Sequence, residues 1–433
     1  MNQEKTKVFQ PQIRAKKITL ENFRGFEHLE MEFQPDLTVF IGENGAGKTT
    51  ILDGLAKLLL VFEKKMRSKR VDLRGVFEEL DIRYEAVEST NSLGFCLADN
   101  ELNWKITFTK TSYQKPQVNN YKALNSFRET INLELRHQKP VNLPVVIYYP
   151  TIHAPVDSIA FKNTIDYLLQ TDIFTALDGT LDPKKSFDFI KFFYWYKWQE
   201  NIEKQIGENQ ILDVVRYAIY NILSDQNNQF NQLSINWLND PNGEMIIHKG
   251  EIPLNINQLS SGEKMLMALV ADLACRLAIA NPHRENPLMG NGIVLIDEID
   301  LHLHPRRQRN VIPQLQKIFP NCQLIVTSHS PLVLSQVQQR CVVLLEEFNP
   351  VKNTPHTFGR DTHSILYELM GVTQRPDEIQ QQIDLVYEWI DDGKTEQAQA
   401  LLKTLSEHLG DNDVAIVRAY THLAFMGDDY EAH

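Results

Sequence analysis

Along this chain, short apolar runs closed by glycine, proline or carboxylates alternate with stretches whose apolar positions recur every three to four residues. The first kind predicts strands, the second amphipathic helices. Residues 37–41 (LTVFI) form a continuous apolar run of the buried-strand type, and 145–149 (VVIYY), closed by Pro150, form another. Residues 293–296 and 324–327 repeat the pattern. Before them, 17–20 and 29–33 predict a hairpin turning through Asn22-Phe23-Arg24-Gly25-Phe26, and 78–110 read as a β-meander in which 104–108 alternate cleanly. The Lys-, Asn- and Gln-rich stretch 111–120 reads as an exposed loop. From about 158 to 226 the pattern turns helical and aromatic. Its densest part, 187–196, reads as a helix packed in a core, with a base-stacking platform as the sharper alternative. Residues 234–237 and 245–248 predict a hairpin turning on 239–243. Beyond 360 the pattern is of stacked helices. Ile379, Ile383, Val386 and Ile390 make one stripe and Ala398, Leu401, Leu405 and Leu409 a second, while Val414, Val417 and Leu423 suggest a third helix. Gly393 and Gly410 break the runs. No internal repeat or long heptad run occurs.

Composition narrows the class without naming a chemistry. A chain of 433 residues suggests two or three domains with ample core, and 42% hydrophobic with 23% charged residues is ordinary for a globular protein. No apolar run approaches the length of a membrane span, and no apolar signal core follows the N-terminus, so the expectation is a cytoplasmic protein without a membrane partner. Cys96, Cys275, Cys322 and Cys341 lie far apart and read as reduced core residues. A formal net charge of −12 argues against a surface that binds nucleic acid everywhere, while leaving room for a local basic groove.

Candidate chemistry begins at Gly42-Glu43-Asn44-Gly45-Ala46-Gly47-Lys48-Thr49, which has the phosphate-loop spacing G-x-x-x-x-G-K-T. It follows a predicted strand and opens a predicted helix from Thr50. Glycines there let backbone N–H groups wrap a phosphate, and the helix N-terminus adds a favourable dipole. Lys48 would reach the β- and γ-phosphates and the Thr49 hydroxyl would ligate Mg²⁺, so the expected ligands are ATP and Mg²⁺. Further on, Leu259-Ser260-Ser261-Gly262-Glu263 precedes an amphipathic helix with Met265, Leu269, Leu273 and Leu277 on one face. It presents hydroxyls and free N–H groups to an anion, and it also fits an ordinary capping box. The strand 293–296 ends in Asp297, placed to hold Mg²⁺ through water, and Glu298, placed to accept a proton from attacking water. Asp300-Leu301-His302-Leu303-His304-Pro305 follows, and the strand 324–327 leads to Ser328-His329, with His329 placed to contact a γ-phosphate.

In this order the segments resemble the ABC-type ATPases of the SMC and RecF class: Walker A loop, signature, Walker B strand, D-loop and H-loop. The resemblance covers about residues 15–345. It implies an α/β fold, an ABC-type head of a mixed sheet with a P-loop core, an antiparallel β subdomain and a helical signature subdomain. The 158–226 segment would be a helical insert, and a helical C-terminal extension would occupy 360–433. It further implies that Arg24 contacts nucleotide and that Asp300 lies at the nucleotide interface. Ser260, Ser261, Gly262 and Glu263 of one protomer would cap ATP held by the other, in a homodimer or higher oligomer. The Gln of the family's Q-loop has no counterpart in 148–153.

Lys48 and Ser260 lie 212 positions apart with no coiled coil between them, which excludes an SMC arm protein. The Ser-Ser-Gly-Glu signature departs from the transporter form. Asp411-Asn412-Asp413 sits between helical patterns, not at the strand ends that a Toprim nuclease needs. His302 and His304, two apart and without a third ligand, read as D-loop residues and not a metal pair. Residues 272–282 and 295–305 are most similar to a compact bacterial subgroup, the ATPase subunits of Septu and retron-associated anti-phage systems. That implies an antiviral ATPase controlling a separate HNH nuclease, sometimes with a retron RNA–DNA hybrid. The tail then reads as a partner-docking surface or as a cap on the ATPase. The alternative is a RecF-like repair ATPase that binds DNA directly, with 64–70 (KKMRSKR) as the contact, although that stretch reads more readily as a solvated helix end.

Overall fold

The computed structural model describes residues 9–67, 75–110, 117–118, 121–151, 172–182, 189–238, 240–352, 354–371 and 375–428. They form two compact units, Met1–Arg360 and Asp361–His433.

The first unit opens with the expected hairpin: β1 (Ile13–Phe23) pairs antiparallel with β2 (Phe26–Glu32), Leu20 opposite Leu29. The next strand, β3 (Leu37–Gly42), leaves this sheet and is buried almost throughout, because helices or strands cover both its faces. Helix α1 (Lys48–Arg67) follows the glycine loop. Strands β4 (Glu88–Leu97), β5 (Asn100–Thr109) and β6 (Gln117–Val118) then complete a five-stranded sheet in the order β2-β1-β4-β5-β6. The expected meander is thus a hairpin joined to β1, preceded by a single 3-10 turn at Glu79–Asp81. Trp104 on β5 is fully buried and its indole donates to the Leu58 carbonyl at 3.0 Å, fastening this sheet to α1. Residues 111–116 and 119–120 of the expected loop lie outside the described residues.

Helix α2 (Tyr121–Arg136) was not legible as a helix among polar neighbours, although Leu124, Phe127 and Ile131 form its buried stripe. Strand β7 (Val145–Tyr149) is buried at every position. Of the helical segment, 158–171 and 183–188 lie outside the described residues. The rest supplies α3 (Phe189–Ile206) and α4 (Gln210–Leu223). Phe192, Phe193, Trp195 and Tyr196 are buried, so these aromatic rings build core and offer no platform for bases. A three-stranded sheet of β8 (Phe230–Asn236), β9 (Glu244–Lys249) and β10 (Ile252–Asn255) leads into α5 (Ser261–Ala280), which packs on α4.

Strand β11 (Gly292–Ile296), helix α6 (Pro305–Ile318), β12 (Cys322–Thr327), the short α7 (Pro331–Leu334), β13 (Val342–Glu346) and β14 (Asn349–Pro350) complete the unit. The central sheet has the order β14-β13-β3-β12-β11-β7, parallel from β13 to β7. Register brings the carboxyl ends of four strands to one edge: Thr327 sits opposite Phe40, Ile296 opposite Val326 and Tyr149 opposite Ile296. Ligands of open parallel sheets bind at that edge.

The second unit contains α8 (Thr362–Met370), α9 (Asp377–Asp391), α10 (Thr395–Leu409) and α11 (Val414–Asp428). Ile383, Val386 and Ile390 pack against Ala398, Leu402 and Leu405. The suggested third helix is present as α11. Ile416, Ala419 and Leu423 face the core, whereas Val414 and Val417 are 62% and 48% exposed. A rotation of the helix by two residues exchanges its apolar faces, and Asp413, held by Arg375 at 2.7 Å, fixes where that helix begins.

Candidate nucleotide site

The strand–loop–helix at 37–67 places its groups as phosphate chemistry requires. Gly42 and Gly47 have φ of +143° and +102°, values that a side chain would strain. Glu43, Asn44, Gly45 and Thr49 are exposed at the mouth of the loop, while Ala46, Gly47 and Lys48 are buried and Thr50 half-buried. The Lys48 ammonium folds back to donate to the Gly42 and Glu43 carbonyls, both at 2.8 Å. Burial holds its pKa below the ordinary lysine value, an effect that the nearby Asp297, Glu298 and Asp300 oppose.

Asp297, 5% exposed at the end of β11, is the hub. It accepts from Thr49 Oγ1 at 2.9 Å, from Thr151 Oγ1 at 2.6 Å and from Thr327 Oγ1 at 2.6 Å. Three hydroxyls from three elements thus converge on one carboxylate. Thr151 and Thr327 were not singled out in the sequence. Thr327 simply ends an apolar strand, and Thr151 lies in the segment that lacks the Q-loop glutamine. Thr327 also accepts from the Glu298 N–H at 2.7 Å, holding Glu298 at φ +50°. Such a conformation in a non-glycine residue costs energy and persists because its surroundings over-determine it.

Asp300 accepts from the His329 N–H at 3.3 Å. Burial lowers the His329 pKa, and the positive charge of Lys48 lowers it further, so the imidazole is neutral at neutral pH. Gln308, on α6, ties this region together. Its amide donates to the Leu303 and Asp300 carbonyls, and its oxygen accepts from Ser330 at 2.8 Å. His304 caps α6 by accepting from the Arg306 N–H at Nδ1. Among the described residues no cluster of three or more His, Cys, Asp or Glu could hold a metal alone. The Thr49 and Asp297 oxygens suit Mg²⁺, which is usually held by one or two protein oxygens with phosphate and water completing its shell.

The signature segment lies elsewhere. Ser260 caps α5, and its hydroxyl and N–H bond Glu263 Oε2 at 2.8 and 2.9 Å, while Glu263 N–H returns a bond to Ser260 Oγ. Glu263 also pairs with Lys249 at 3.1 Å and Arg307 at 3.5 Å, so its carboxylate faces inward and fixes the posture of Ser260. Ser261 is exposed beside it. A Cβ on Gly262 would lie 2.5 Å from the His302 carbonyl, so signature and D-loop are pressed together. Gly262→Ala should cost about 1–3 kcal/mol through this overlap, read as a lower midpoint in denaturant melts; an unchanged midpoint would show that the D-loop yields freely. Among the described residues, no hydrogen bond or ion pair joins residues 260–262 to the loop 42–50 of the same chain.

Arg24, at φ +50°, is held by Asp53 at 2.5 Å and Asp81 at 2.9 Å, and Lys57 also pairs with Asp81. Tyr148 donates to the other oxygen of Asp53 at 2.8 Å, and its neighbour Tyr149 donates to Asp272 on α5 at 2.9 Å. Of the basic stretch 64–70, residues 68–70 lie outside the described residues. Lys65 is buried and Arg67 pairs with Asp178 at 2.8 Å.

A parallel P-loop sheet, an antiparallel sheet on α1 and a helical region entered through Ser260 define an ABC-type ATPase head. Residues 17–235, half of the chain, match the family described as AAA domain, and residues 155–335 match that described as "AAA domain, putative AbiEii toxin, Type IV TA system". The chain belongs to the AAA-domain family and is an ATPase. It is 29% identical to the Retron Ec83 probable ATPase of Escherichia coli, covering 97% of this chain and 89% of that protein. The Retron Vc95 probable ATPase of Vibrio cholerae serotype O1 biovar El Tor is 28% identical, covering 84% of this chain and 80% of that protein. The Septu protein PtuA of Bacillus mycoides (strain KBAB4) is 25% identical over 76% of this chain and 40% of that protein. No described helix is long and apolar enough to cross a membrane.

Proposed function

We propose that this chain is the nucleotide-controlled subunit of an anti-phage defence complex, holding a separate HNH nuclease through its C-terminal unit. The observation that carries the reading is the extent of likeness to the retron ATPase. It spans 97% of the chain, so it runs through the tail as well as the head.

In this reading the 42–49 loop binds ATP, with Lys48 turning from the Gly42 and Glu43 carbonyls to the phosphates. Thr49 and Asp297 would hold Mg²⁺, which neutralises phosphate charge. Glu298, poised beside Thr327, accepts the proton of the attacking water, and neutral His329 donates to a γ-phosphate oxygen. Among the described residues no hydrogen bond or ion pair joins Ser260, Ser261 or Gly262 to the 42–50 loop of the same chain, which supports their serving the ATP of a second copy in a two-fold dimer, with Asp300 at the same interface. Arg24 contributes beside that nucleotide while tied to Asp53 and Asp81.

Charge supports a docking role for the tail. Residues 361–433 carry 15 acidic and 4 basic side chains, a net −11 of the chain's −12. On α11, Val414, Val417, Tyr420 and Phe425 are all exposed and share one helical face. An apolar stripe in an acidic field suits a basic partner, as a nuclease that grips nucleic acid must be. Of the stretch that would serve the RecF-like alternative, Lys65 is buried and Arg67 is paired with Asp178, which weighs against a DNA contact at those two residues.

The test is affinity purification from the native host of the full chain and of a double variant, Val417→Asp with Tyr420→Asp. Recovery of an HNH protein with the full chain, lost in the variant while ATPase activity persists, is the expected result. Co-purification of repair proteins and DNA instead, or an HNH partner retained by the variant, would overturn the assignment.

A further inference from the structure

The turn joining β13 to β14 is made of Glu347 and Phe348, with φ of +45° and +64°. Two successive left-handed residues are the geometry of a tight hairpin, where Asn-Gly is the usual solution. A glutamate and a phenylalanine there are strained, and strain of this kind clusters at sites where it serves a purpose.

The Phe348 ring shows what the strain secures. It packs edge-on against buried Phe26 at 5.2 Å between centroids and 87° between planes. A Cβ on Gly25 would overlap the ring outright, and one on Gly47 would come within 2.9 Å of it and 2.6 Å of Phe26. Phe348 is therefore wedged between the Arg24-Gly25 turn and the phosphate loop at the residue before Lys48. The same hairpin touches the loop again at its first residue, because a Cβ on Gly42 would overlap the Leu345 carbonyl. Both ends of the loop rest on one hairpin, and its glycines allow the approach.

We propose that Phe348 is a positioning residue for nucleotide binding, acting as a strut that sets Gly47, and so the Lys48 amide and the start of α1, relative to the Arg24-Gly25 turn. The inference rests on assigning the 42–49 loop to the nucleotide. It goes further in naming a residue outside every phosphate motif, 299 positions along the chain from Thr49.

Three full-length variants test it, with equilibrium ATP binding by calorimetry, steady-state kinetics and thermal melts. Phe348→Gly removes the ring and relieves the backbone; Phe348→Ala removes only the ring; Phe348→Leu keeps an apolar strut. The expected result is a rise in ATP Kd and KM of about tenfold for Gly and Ala and of about threefold for the smaller Leu strut, with kcat within about twofold throughout. Wild-type Kd in the Gly variant, or a fall in kcat with KM unchanged, would overturn the proposal. Should the Ala and Gly variants fail to fold, the Leu variant decides: a Kd at least about threefold weaker than wild type with an unchanged melt upholds the strut, and a wild-type Kd overturns it. Lys48→Ala separates the underlying assignment, since wild-type ATP binding there would defeat the site itself whatever Phe348 does.

Discussion

Replacing Lys48 with alanine should abolish detectable nucleotide binding. The Lys48 ammonium is the buried cation of the loop and bonds the Gly42 and Glu43 carbonyls at 2.8 Å, which orders the loop's entrance. Its loss removes charge-assisted bonds to phosphate, each worth about 1.5–3 kcal/mol, so affinity falls on the order of a hundredfold or more. Calorimetric titration with Mg-ATP should give no measurable heat, and the rise in melting temperature that ATP gives the wild type should vanish. Retention of that rise would place the nucleotide elsewhere.

Glu298→Gln should separate binding from hydrolysis. The side chains have nearly the same shape, and the Glu298 N–H to Thr327 hydroxyl bond at 2.7 Å is unaffected, so the left-handed backbone survives. ATP should bind as before while turnover falls by about 10²–10⁴-fold, the usual contribution of a general base. ATP-bound dimers should then accumulate, visible as a doubled mass in sedimentation. Wild-type turnover would remove Glu298 from the role of base.

Much of the central sheet was legible because its strands are buried on both faces and read as continuous apolar runs, as at 37–41 and 293–296. The loop was legible because phosphate binding demands glycines and a lysine at fixed spacing. What stayed hidden depends on distance in the chain. Nothing local distinguishes Thr327 or Thr151 from other threonines at strand ends, yet the parallel register sets both on Asp297. Helix α2 escaped because its buried stripe is short, and the inward face of α11 was not legible because the helix is apolar on two faces. Phe348 escaped for a further reason: its significance lies in φ angles and in two glycines, at 25 and 47, that sequence reading had assigned to other duties.

Tyr148 and Tyr149 are neighbours on one strand, so their side chains leave it on opposite faces. One holds Asp53 on the helix that follows the phosphate loop, the other Asp272 on the helix that Ser260 begins. In the proposed dimer, a strand end that clasps both helices would link the phosphate loop to the surface that Ser260 offers a second copy. Whatever factor ATP lends to association, association must return to ATP. If the proposed dimer forms, a crowded population of this ATPase would hold its nucleotide more tightly than a dilute one, and concentration itself would become a signal that the molecule can register.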